Sequence, residues 1–171
     1  MSLTLILGGA RSGKSHFAEQ LALKSNLEVI YIATATVTDK EMATRIAYHQ
    51  QQRPAHWQTV ESPVYLADTL QTCAKSDTCL LVDCLTLWLN NCLFNENICW
   101  ETQKQAFLEQ ITTLQGQQIL VSNEVGQGIV PMGEVSRRFV DESGRLHQAL
   151  AQLADQVIWV VAGLPQVLKG K

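Results

Sequence analysis

Residues 8–15 read Gly8-Gly9-Ala10-Arg11-Ser12-Gly13-Lys14-Ser15 and fit the pattern G-x-x-x-x-G-K-[ST] at every fixed position. Directly before them, residues 3–7 form the short apolar run that is typical of a buried strand. Directly after them, a helix face is indicated by the spacing of Phe17, Ala18, Leu21 and Ala22. A strand, a glycine-rich loop and a helix in this order are the context that a phosphate-binding P-loop requires.

The residue types of this loop suit a nucleoside triphosphate. Glycines allow successive backbone N–H groups to turn towards phosphate oxygens, and the helix N-terminus adds a partial positive charge. Lys14 is placed to reach the outer phosphates, and Ser15 is placed to offer its hydroxyl to Mg²⁺. The alternative is a glycine-rich turn that matches the pattern by chance. The flanking strand and helix favour nucleotide binding by the whole loop, and Lys14 is the predicted catalytic residue within it.

The composition limits the classes of function. A chain of 171 residues with 46% hydrophobic and 17% charged residues is long enough for one globular domain, which we expect to span residues 1–171. A net charge of −3 gives no general attraction to nucleic acid or to an anionic membrane. No apolar run approaches the roughly 20 residues that span a bilayer, and no basic leader precedes the first strand. We therefore expect a cytoplasmic protein that acts on small molecules.

The cysteines indicate neither a disulfide framework nor a zinc site. The five of them form no C-x-x-C pair and lie near no cluster of histidines. We expect buried free thiols.

Predicted strands and helices alternate along the rest of the chain. Strands are predicted at 28–33, 56–61, 79–83, 118–123 and 156–162, and helices at 40–52, at 85–93, at 100–114, at 134–154 and from Pro63 onward with Ser62 as its cap. Residues 164–168 can add a short edge strand near the C-terminus. This order predicts an α/β fold, a P-loop NTPase-like three-layer sandwich with a mostly parallel central sheet and helices on both faces.

Two predicted strands end at an acidic residue. Asp83 closes an apolar strand in the manner of a Walker B segment, so its carboxylate is expected to help Ser15 to hold Mg²⁺. Four apolar residues before an Asp are weak evidence alone, but the P-loop strengthens the prediction. Glu61 stands at a junction of strand and helix, where it is either an ordinary first-turn acid or an acceptor of hydrogen bonds from a ligand.

One predicted helix, residues 40–52, carries an unusual stripe of side chains. Glu41, Arg45, His49 and Arg53 recur every four residues and so share one side of the helix. One interpretation is a solvated face with an ion pair from Glu41 to Arg45 and an incidental histidine. The other is a histidine set between two guanidinium groups for a chemical role.

The chain resembles a specific enzyme family. Five stretches carry the resemblance, and together they span nearly the whole chain: Gly-Gly-Ala-Arg-Ser-Gly-Lys-Ser at 8–15, Tyr-Ile-Ala-Thr-Ala at 31–35, Arg-Ile-Ala-Tyr-His-Gln-Gln-Gln-Arg-Pro-Ala-His-Trp at 45–57, Val-Asp-Cys-Leu-Thr at 82–86, and Ser-Asn-Glu-Val-Gly-Gln-Gly-Ile-Val-Pro at 122–131. They look like the bifunctional adenosylcobinamide kinase/adenosylcobinamide-phosphate guanylyltransferase of cobalamin biosynthesis.

The resemblance implies two reactions and a covalent step. The first phosphorylates the aminopropanol hydroxyl of adenosylcobinamide with a nucleoside triphosphate, ATP or GTP, and Mg²⁺. The second transfers GMP from GTP to that phosphate, through a guanylyl group carried on a histidine that corresponds to His49. Arg45 and Arg53 would favour the neutral, nucleophilic imidazole by charge repulsion and would stabilise the phosphates.

The resemblance also implies the remaining site residues and the assembly. Positions that match those around the guanine nucleotide are Ala33, Thr34, Ala35, Gln50, Gln51, Gln52, Arg53 and Glu61. The family is oligomeric, commonly a homotrimer. The family often has Asn-Gln where this chain has His147-Gln148. The resemblance therefore does not decide what this part of the helix contacts, at a subunit interface or elsewhere.

Two other functions compete with this interpretation. One is a P-loop kinase of a different small metabolite, in which His49 has no covalent role. The other is a nucleotide-dependent switch protein whose hydrolysis of the nucleotide drives a partner interaction.

Overall fold

The computed structural model of the chain describes residues 2–36 and 54–170. Its strands are β1 (Ser2–Gly8), β2 (Glu28–Ala33), β3 (Gln58–Glu61), β4 (Thr78–Asp83), β5 (Gln117–Asn123), β6 (Gln156–Val161) and β7 (Leu164–Lys169). Its helices are α1 (Lys14–Lys24), α2 (Leu66–Cys73), α3 (Leu85–Leu93), α4 (Trp100–Ile111) and α5 (Glu134–Leu153). The helix predicted for residues 40–52 lies outside the described residues.

The strands form one sheet that positions the P-loop near its centre. Within the described residues the order is β3-β2-β4-β5-β1-β6-β7. All neighbours are parallel except β6 and β7, which are antiparallel. The predicted fold and its C-terminal edge strand are therefore confirmed. Because the loops after β1, β4 and β5 leave the same edge of the sheet, residues that follow these strands are neighbours.

Alternating side chains of the strands build a core on each face of the sheet. Leu3, Leu5 and Leu7 face the side covered by α2, α3, α4 and α5. Ile6 faces the other side, where Ala18 and Ala22 of α1 pack against it. Side chains that alternate between two buried faces of the sheet are what a parallel sheet between helices requires.

Helix α5 is fixed against α4 by a buried carboxylate. Glu142 accepts hydrogen bonds from Trp100 Nε1 at 2.7 Å and from Lys104 Nζ at 3.1 Å. Trp100 in turn packs edge-on against Trp88 of α3, with 5.2 Å between the ring centroids. Buried polar networks whose members are hydrogen-bonded favour one packing arrangement, so Glu142 helps to fix α5 against α4.

The start of α2 was predicted wrongly. The helix begins at Leu66 rather than at Pro63, and Ser62 is not its cap. The Ser62 N–H instead donates to Ala33 O at 2.8 Å, and its hydroxyl shares a hydrogen bond with Thr69 Oγ1 at 2.8 Å. Pairing with β2 therefore extends one residue beyond β3 and delays the helix.

Three further predictions need smaller corrections. The strand expected from residue 56 begins at Gln58, because a turn with Trp57 N–H donating to Pro54 O at 3.0 Å precedes it. Helix α4 ends at Ile111 rather than at Leu114, where threonine hydroxyls bond back to the last carbonyls. All five cysteines were expected to be buried, but Cys99 is exposed and Cys73 half-buried, whereas Cys79, Cys84 and Cys92 are buried. None of the helices in residues 2–36 and 54–170 combines the length and apolar character needed to cross a membrane.

Candidate active site

The P-loop connects β1 to α1 and rests on the turn between β6 and β7. Gly13 adopts a left-handed backbone conformation with φ of 93°, and a Cβ there would lie 3.0 Å from the Cα of Gly163. The Gly163 N–H donates to Ser12 O at 2.8 Å. The C-terminal hairpin therefore supports the loop from below and requires glycine at residue 13.

The glycines at the start of the loop have different roles. A Cβ on Gly8 would meet Ser12 Oγ at 2.5 Å and Val160 O at 2.6 Å, so this position permits no side chain. A Cβ on Gly9 would meet no heavy atom of the described residues within 4 Å. The space beside Gly9 is the kind of opening that lets a phosphate approach the backbone closely.

Gly13→Ala is expected to weaken both the fold and nucleotide binding. A left-handed conformation costs an L-residue about 1–2 kcal/mol, and the new Cβ would also displace Gly163. Urea unfolding should show a lower free energy of unfolding, and titration with a nucleoside triphosphate should show weaker binding.

Gly144→Ala is the matched control, because Gly144 lies inside α5 and a Cβ added to it would meet nothing of the described residues within 4 Å. There alanine should be neutral or stabilise the protein by up to about 1 kcal/mol through its helix propensity. A Gly13→Ala protein as stable as Gly144→Ala would contradict the assigned role of the hairpin.

Lys14 lies over the loop with its charge already in place. Its Nζ donates to Gly9 O at 3.1 Å, and only 8% of the residue is exposed. Burial lowers the pKa of Lys14, and the nearby Asp83 carboxylate opposes that shift. The Asp83 carboxylate therefore favours the charged form of Lys14, in keeping with the predicted phosphate clamp and Walker B acid.

The donor groups at this edge suit Mg²⁺ bound together with nucleotide. Ser15 lies in the first turn of α1 and Asp83 ends β4, so a hydroxyl and a carboxylate are available. The described residues contain no group of three or more His, Cys, Asp or Glu side chains that could hold a metal ion. A cation here would take its other ligands from phosphate oxygens and water, which is the usual environment of Mg²⁺.

The predicted nucleotide-binding segment after β2 is held by hydrogen bonds within the protein. Thr34 Oγ1 accepts from Cys84 N at 2.9 Å and donates to Cys84 O at 2.7 Å. Asn91 Nδ2 donates to Thr34 O at 2.8 Å. The buried Thr34 side chain therefore joins the end of β2 to the residue that follows Asp83.

Ala33, Ala35 and Glu61 flank this junction. Ala33 pairs with Asp83 on one side and with Glu61 on the other. Glu61 is exposed at the end of β3, and Ala33 and Ala35 are half-buried. The structure thus brings these residues to the same edge of the sheet as the P-loop, with β4 and β5 between β2 and β1.

A partly buried acid next to the P-loop, paired with a buried histidine, escaped sequence analysis. Glu124 follows β5, and its N–H donates to Gly8 O at 3.0 Å. His147 of α5 lies beside it, with Nδ1 3.6 Å from Glu124 Oε2 and Nε2 2.7 Å from Ser122 Oγ. One signal was present: Glu124 is an acid directly after a predicted strand, and Asp83 is an acid at the end of one.

The sequence did not decide whether His147 makes its contacts at a subunit interface or elsewhere. The structure buries it inside the chain, where 6% of the residue is exposed. Burial lowers the pKa of His147, and the Glu124 carboxylate opposes that shift.

The predicted nucleophile His49 and its neighbours Gln50, Gln51, Gln52 and Arg53 lie outside the described residues. Their roles, and that of Arg45, stay predictions from the sequence.

Comparison with known proteins reveals close relatives. The model of the family described as cobinamide kinase / cobinamide phosphate guanyltransferase matches residues 4–168. The bifunctional adenosylcobalamin biosynthesis protein CobP of Pseudomonas aeruginosa is 56% identical over 168 residues, which cover 98% of this chain and 97% of that protein. The bifunctional adenosylcobalamin biosynthesis protein CobU of Escherichia coli K12 is 38% identical over 181 residues, covering 98% of this chain and 99% of that protein.

Among solved structures, a protein from Pyrococcus horikoshii OT3 is similar in fold alone. It is 10% identical, with a TM-score of 0.54, and the match covers 99% of this chain and 86% of that one.

Proposed function

The chain belongs to the cobinamide kinase / cobinamide phosphate guanyltransferase family, and on that premise we propose that it phosphorylates adenosylcobinamide and then transfers GMP from GTP to the new phosphate, giving adenosyl-GDP-cobinamide and pyrophosphate. The observation that carries this proposal is a P-loop whose lysine interacts with the acid of β4, in a chain that matches bifunctional relatives along almost its full length. We propose that the enzyme acts in the cytoplasm on freely diffusing substrates.

In the kinase step the P-loop would bind the phosphates of ATP or GTP. The substrate hydroxyl oxygen attacks the γ-phosphorus, and the bond from that phosphorus to the β,γ-bridging oxygen breaks. Backbone N–H groups of the loop and Lys14 would stabilise the charge that develops on the transferred group. Ser15 and Asp83 would hold Mg²⁺, which neutralises charge on the β- and γ-phosphates when bound.

In the guanylyl transfer step His49 would act as the nucleophile. A neutral ring nitrogen attacks the α-phosphorus of GTP, a P–N bond forms, and pyrophosphate leaves. The phosphate oxygen of adenosylcobinamide phosphate then attacks the same phosphorus and breaks the P–N bond. Arg45 and Arg53, one helical turn to either side in the predicted helix, would favour the neutral imidazole.

The residues after β2 and β3 would hold the guanine nucleotide. The exposed Glu61 carboxylate has room to accept hydrogen bonds from a ligand, which supports the second of its two interpretations. Because the Thr34 side chain is occupied by Cys84, Thr34 would act by holding the backbone of Ala33 and Ala35 in place. Gln50, Gln51, Gln52 and Arg53 would complete this nucleotide site.

Labelled GTP tests the covalent step. Purified protein is incubated with Mg²⁺ and GTP labelled at the α-phosphate, and then denatured. We expect an acid-labile, alkali-stable GMP label on the peptide that contains His49, and its release on addition of adenosylcobinamide phosphate before denaturation. Failure to retain the label, in protein that binds GTP, would refute the guanylyl-histidine.

We also propose that the protein is a homotrimer. Support comes from an exposed apolar segment before α5, in which Ile129 is 99%, Val130 73% and Met132 96% exposed. Solvent-exposed apolar clusters of this kind commonly mark contacts between proteins. Light scattering should give the mass of three chains of 19.0 kDa each, and the mass of one chain at micromolar concentration would contradict the proposal.

A further inference from the structure

Glu124 lies between the two halves of the candidate kinase site. Strand β5 is flanked by β4, which ends at Asp83, and by β1, which ends at the P-loop. Gly8 pairs with Asn123, so Glu124 is the first residue beyond that pair. Its N–H donates to Gly8 O, and its side chain is 20% exposed. The backbone of Glu124 is therefore tied to the start of the phosphate loop, and its carboxylate retains access to solvent.

One oxygen of this carboxylate is held by a hydrogen bond, and the other faces a buried imidazole. The Gly126 N–H donates to Oε1 at 2.6 Å. His147 Nδ1 faces Oε2 at 3.6 Å from the buried side. Asp83 is assigned to the proposed Mg²⁺, and Glu61 is separated from β1 by three strands. Of the acids at this edge that the structure describes, Glu124 is the one that directly follows the strand beside β1.

A chain of hydrogen bonds links the Asn123 backbone to Nε2 of His147. The Asn123 N–H donates to Thr86 Oγ1 at 2.7 Å, Thr86 Oγ1 lies 3.2 Å from Ser122 Oγ, and Ser122 Oγ lies 2.7 Å from His147 Nε2. If each hydroxyl donates onward, Nε2 accepts and Nδ1 bears the hydrogen that faces Glu124. The opposite tautomer would direct the lone pair of Nδ1 at a carboxylate oxygen 3.6 Å away, and Nδ1 makes no hydrogen bond among the described residues. Electrostatics therefore favours the Nδ1–H form.

We propose that Glu124 is the base that accepts the proton of the substrate hydroxyl in the kinase step, and that His147 is a positioning residue whose Nδ1–H orients the accepting carboxylate. As the bond from oxygen to the γ-phosphorus forms and the β,γ bridge breaks, the hydroxyl proton passes to Glu124 and later to water. The inference rests on the proposed kinase reaction. It does not extend to guanylyl transfer, because the acceptor there is already a phosphate oxyanion with no proton to lose.

Glu124→Gln separates the two reactions. The kinase reaction is followed with ATP and adenosylcobinamide, and guanylyl transfer with GTP and supplied adenosylcobinamide phosphate. We expect the kinase kcat to fall by about 10²- to 10⁴-fold, the range typical of a general base. Guanylyl transfer should stay within about threefold of wild type.

Two isosteric variants of His147 test the positioning role. Asparagine supplies an amide N–H where Nδ1 stood, towards Glu124, whereas glutamine supplies one where Nε2 stood, towards Ser122. We expect His147→Asn to keep the kinase kcat within about threefold and His147→Gln to lose about tenfold or more. A merely structural role would not make the kinase kcat of His147→Asn higher than that of His147→Gln. As controls, the guanylyl transfer rate and the urea unfolding midpoint of both variants should match those of the wild type.

Several results would overturn the inference. One is a Glu124→Gln protein with wild-type kinase kcat, or one whose defect disappears at high Mg²⁺, which would assign the carboxylate to the metal instead. Another is equal loss of both reactions, which would indicate damage to the shared loop. If His147→Gln retained kinase activity and His147→Asn lost it, the assigned Nδ1–H tautomer of His147 would be refuted. Wild-type protein that does not phosphorylate adenosylcobinamide would instead refute the proposed function itself, and the inference with it.

Discussion

Lys14→Met is expected to lower the kinase kcat by about 10²- to 10³-fold, the cost of removing one preorganised group that stabilises the transition state. Lys14 Nζ is held over the loop by Gly9 O and is largely desolvated. A cation in such an environment interacts with phosphate more strongly than one in water. Methionine keeps most of the length and apolar volume of lysine, so the substitution removes the charge with little change in packing.

The fold should tolerate this change. Because burial penalises the charged form of Lys14, the neutral side chain should not lower the free energy of unfolding, as measured with urea. Lys24→Met, at the exposed end of the same helix, is the matched control and should leave both reactions unchanged. A Lys14→Met protein with undiminished kinase activity would show that phosphoryl transfer does not use this loop.

His49→Ala is expected to abolish guanylyl transfer and spare the kinase reaction. The covalent route has no nucleophile without the imidazole, so the rate of GMP transfer should fall to background, a loss of about 10⁴-fold or more. Phosphorylation of adenosylcobinamide uses the P-loop, Asp83 and Glu124 but not His49, so its kcat should change by less than about threefold. Parallel assays with α-labelled GTP and γ-labelled ATP measure the two rates in one preparation.

His16→Ala is the control for loss of a histidine, because His16 is exposed on α1 just beyond the P-loop. It should retain both reactions and the GMP label. If His49→Ala retained every wild-type activity, the covalent mechanism would be refuted, and a P-loop kinase without a covalent histidine would become the better account.

The sheet was predictable because its signals are local. Buried parallel strands have apolar residues on both faces, and the runs at β2 and β4 have this character without interruption. The P-loop was equally predictable, since Gly8, Gly13 and Lys14 are each required by the backbone geometry or the chemistry of the loop itself. In such stretches the sequence pattern and the tertiary environment demand the same residues.

Where local and tertiary preferences differ, prediction failed. Ser62 before Pro63 has the pattern of a helix cap, but its N–H is taken by Ala33 O of the neighbouring strand. His147 stands on a long helix with polar neighbours, and only the packing of α5 against β5 places it beside Ser122 and Glu124. Residues separated by 25 positions along the chain leave no periodic signal of such contact, so this part of the site required the structure.

The most direct test of the account is one reaction analysed by mass spectrometry. Purified protein is incubated with adenosylcobinamide, GTP and Mg²⁺. The corrinoids are separated at successive times, and their molecular masses are measured. The account predicts that adenosylcobinamide phosphate appears first and is then converted to adenosyl-GDP-cobinamide, with pyrophosphate released in equal amount. If adenosylcobinamide remains unmodified while the protein still binds GTP, the central claim is wrong.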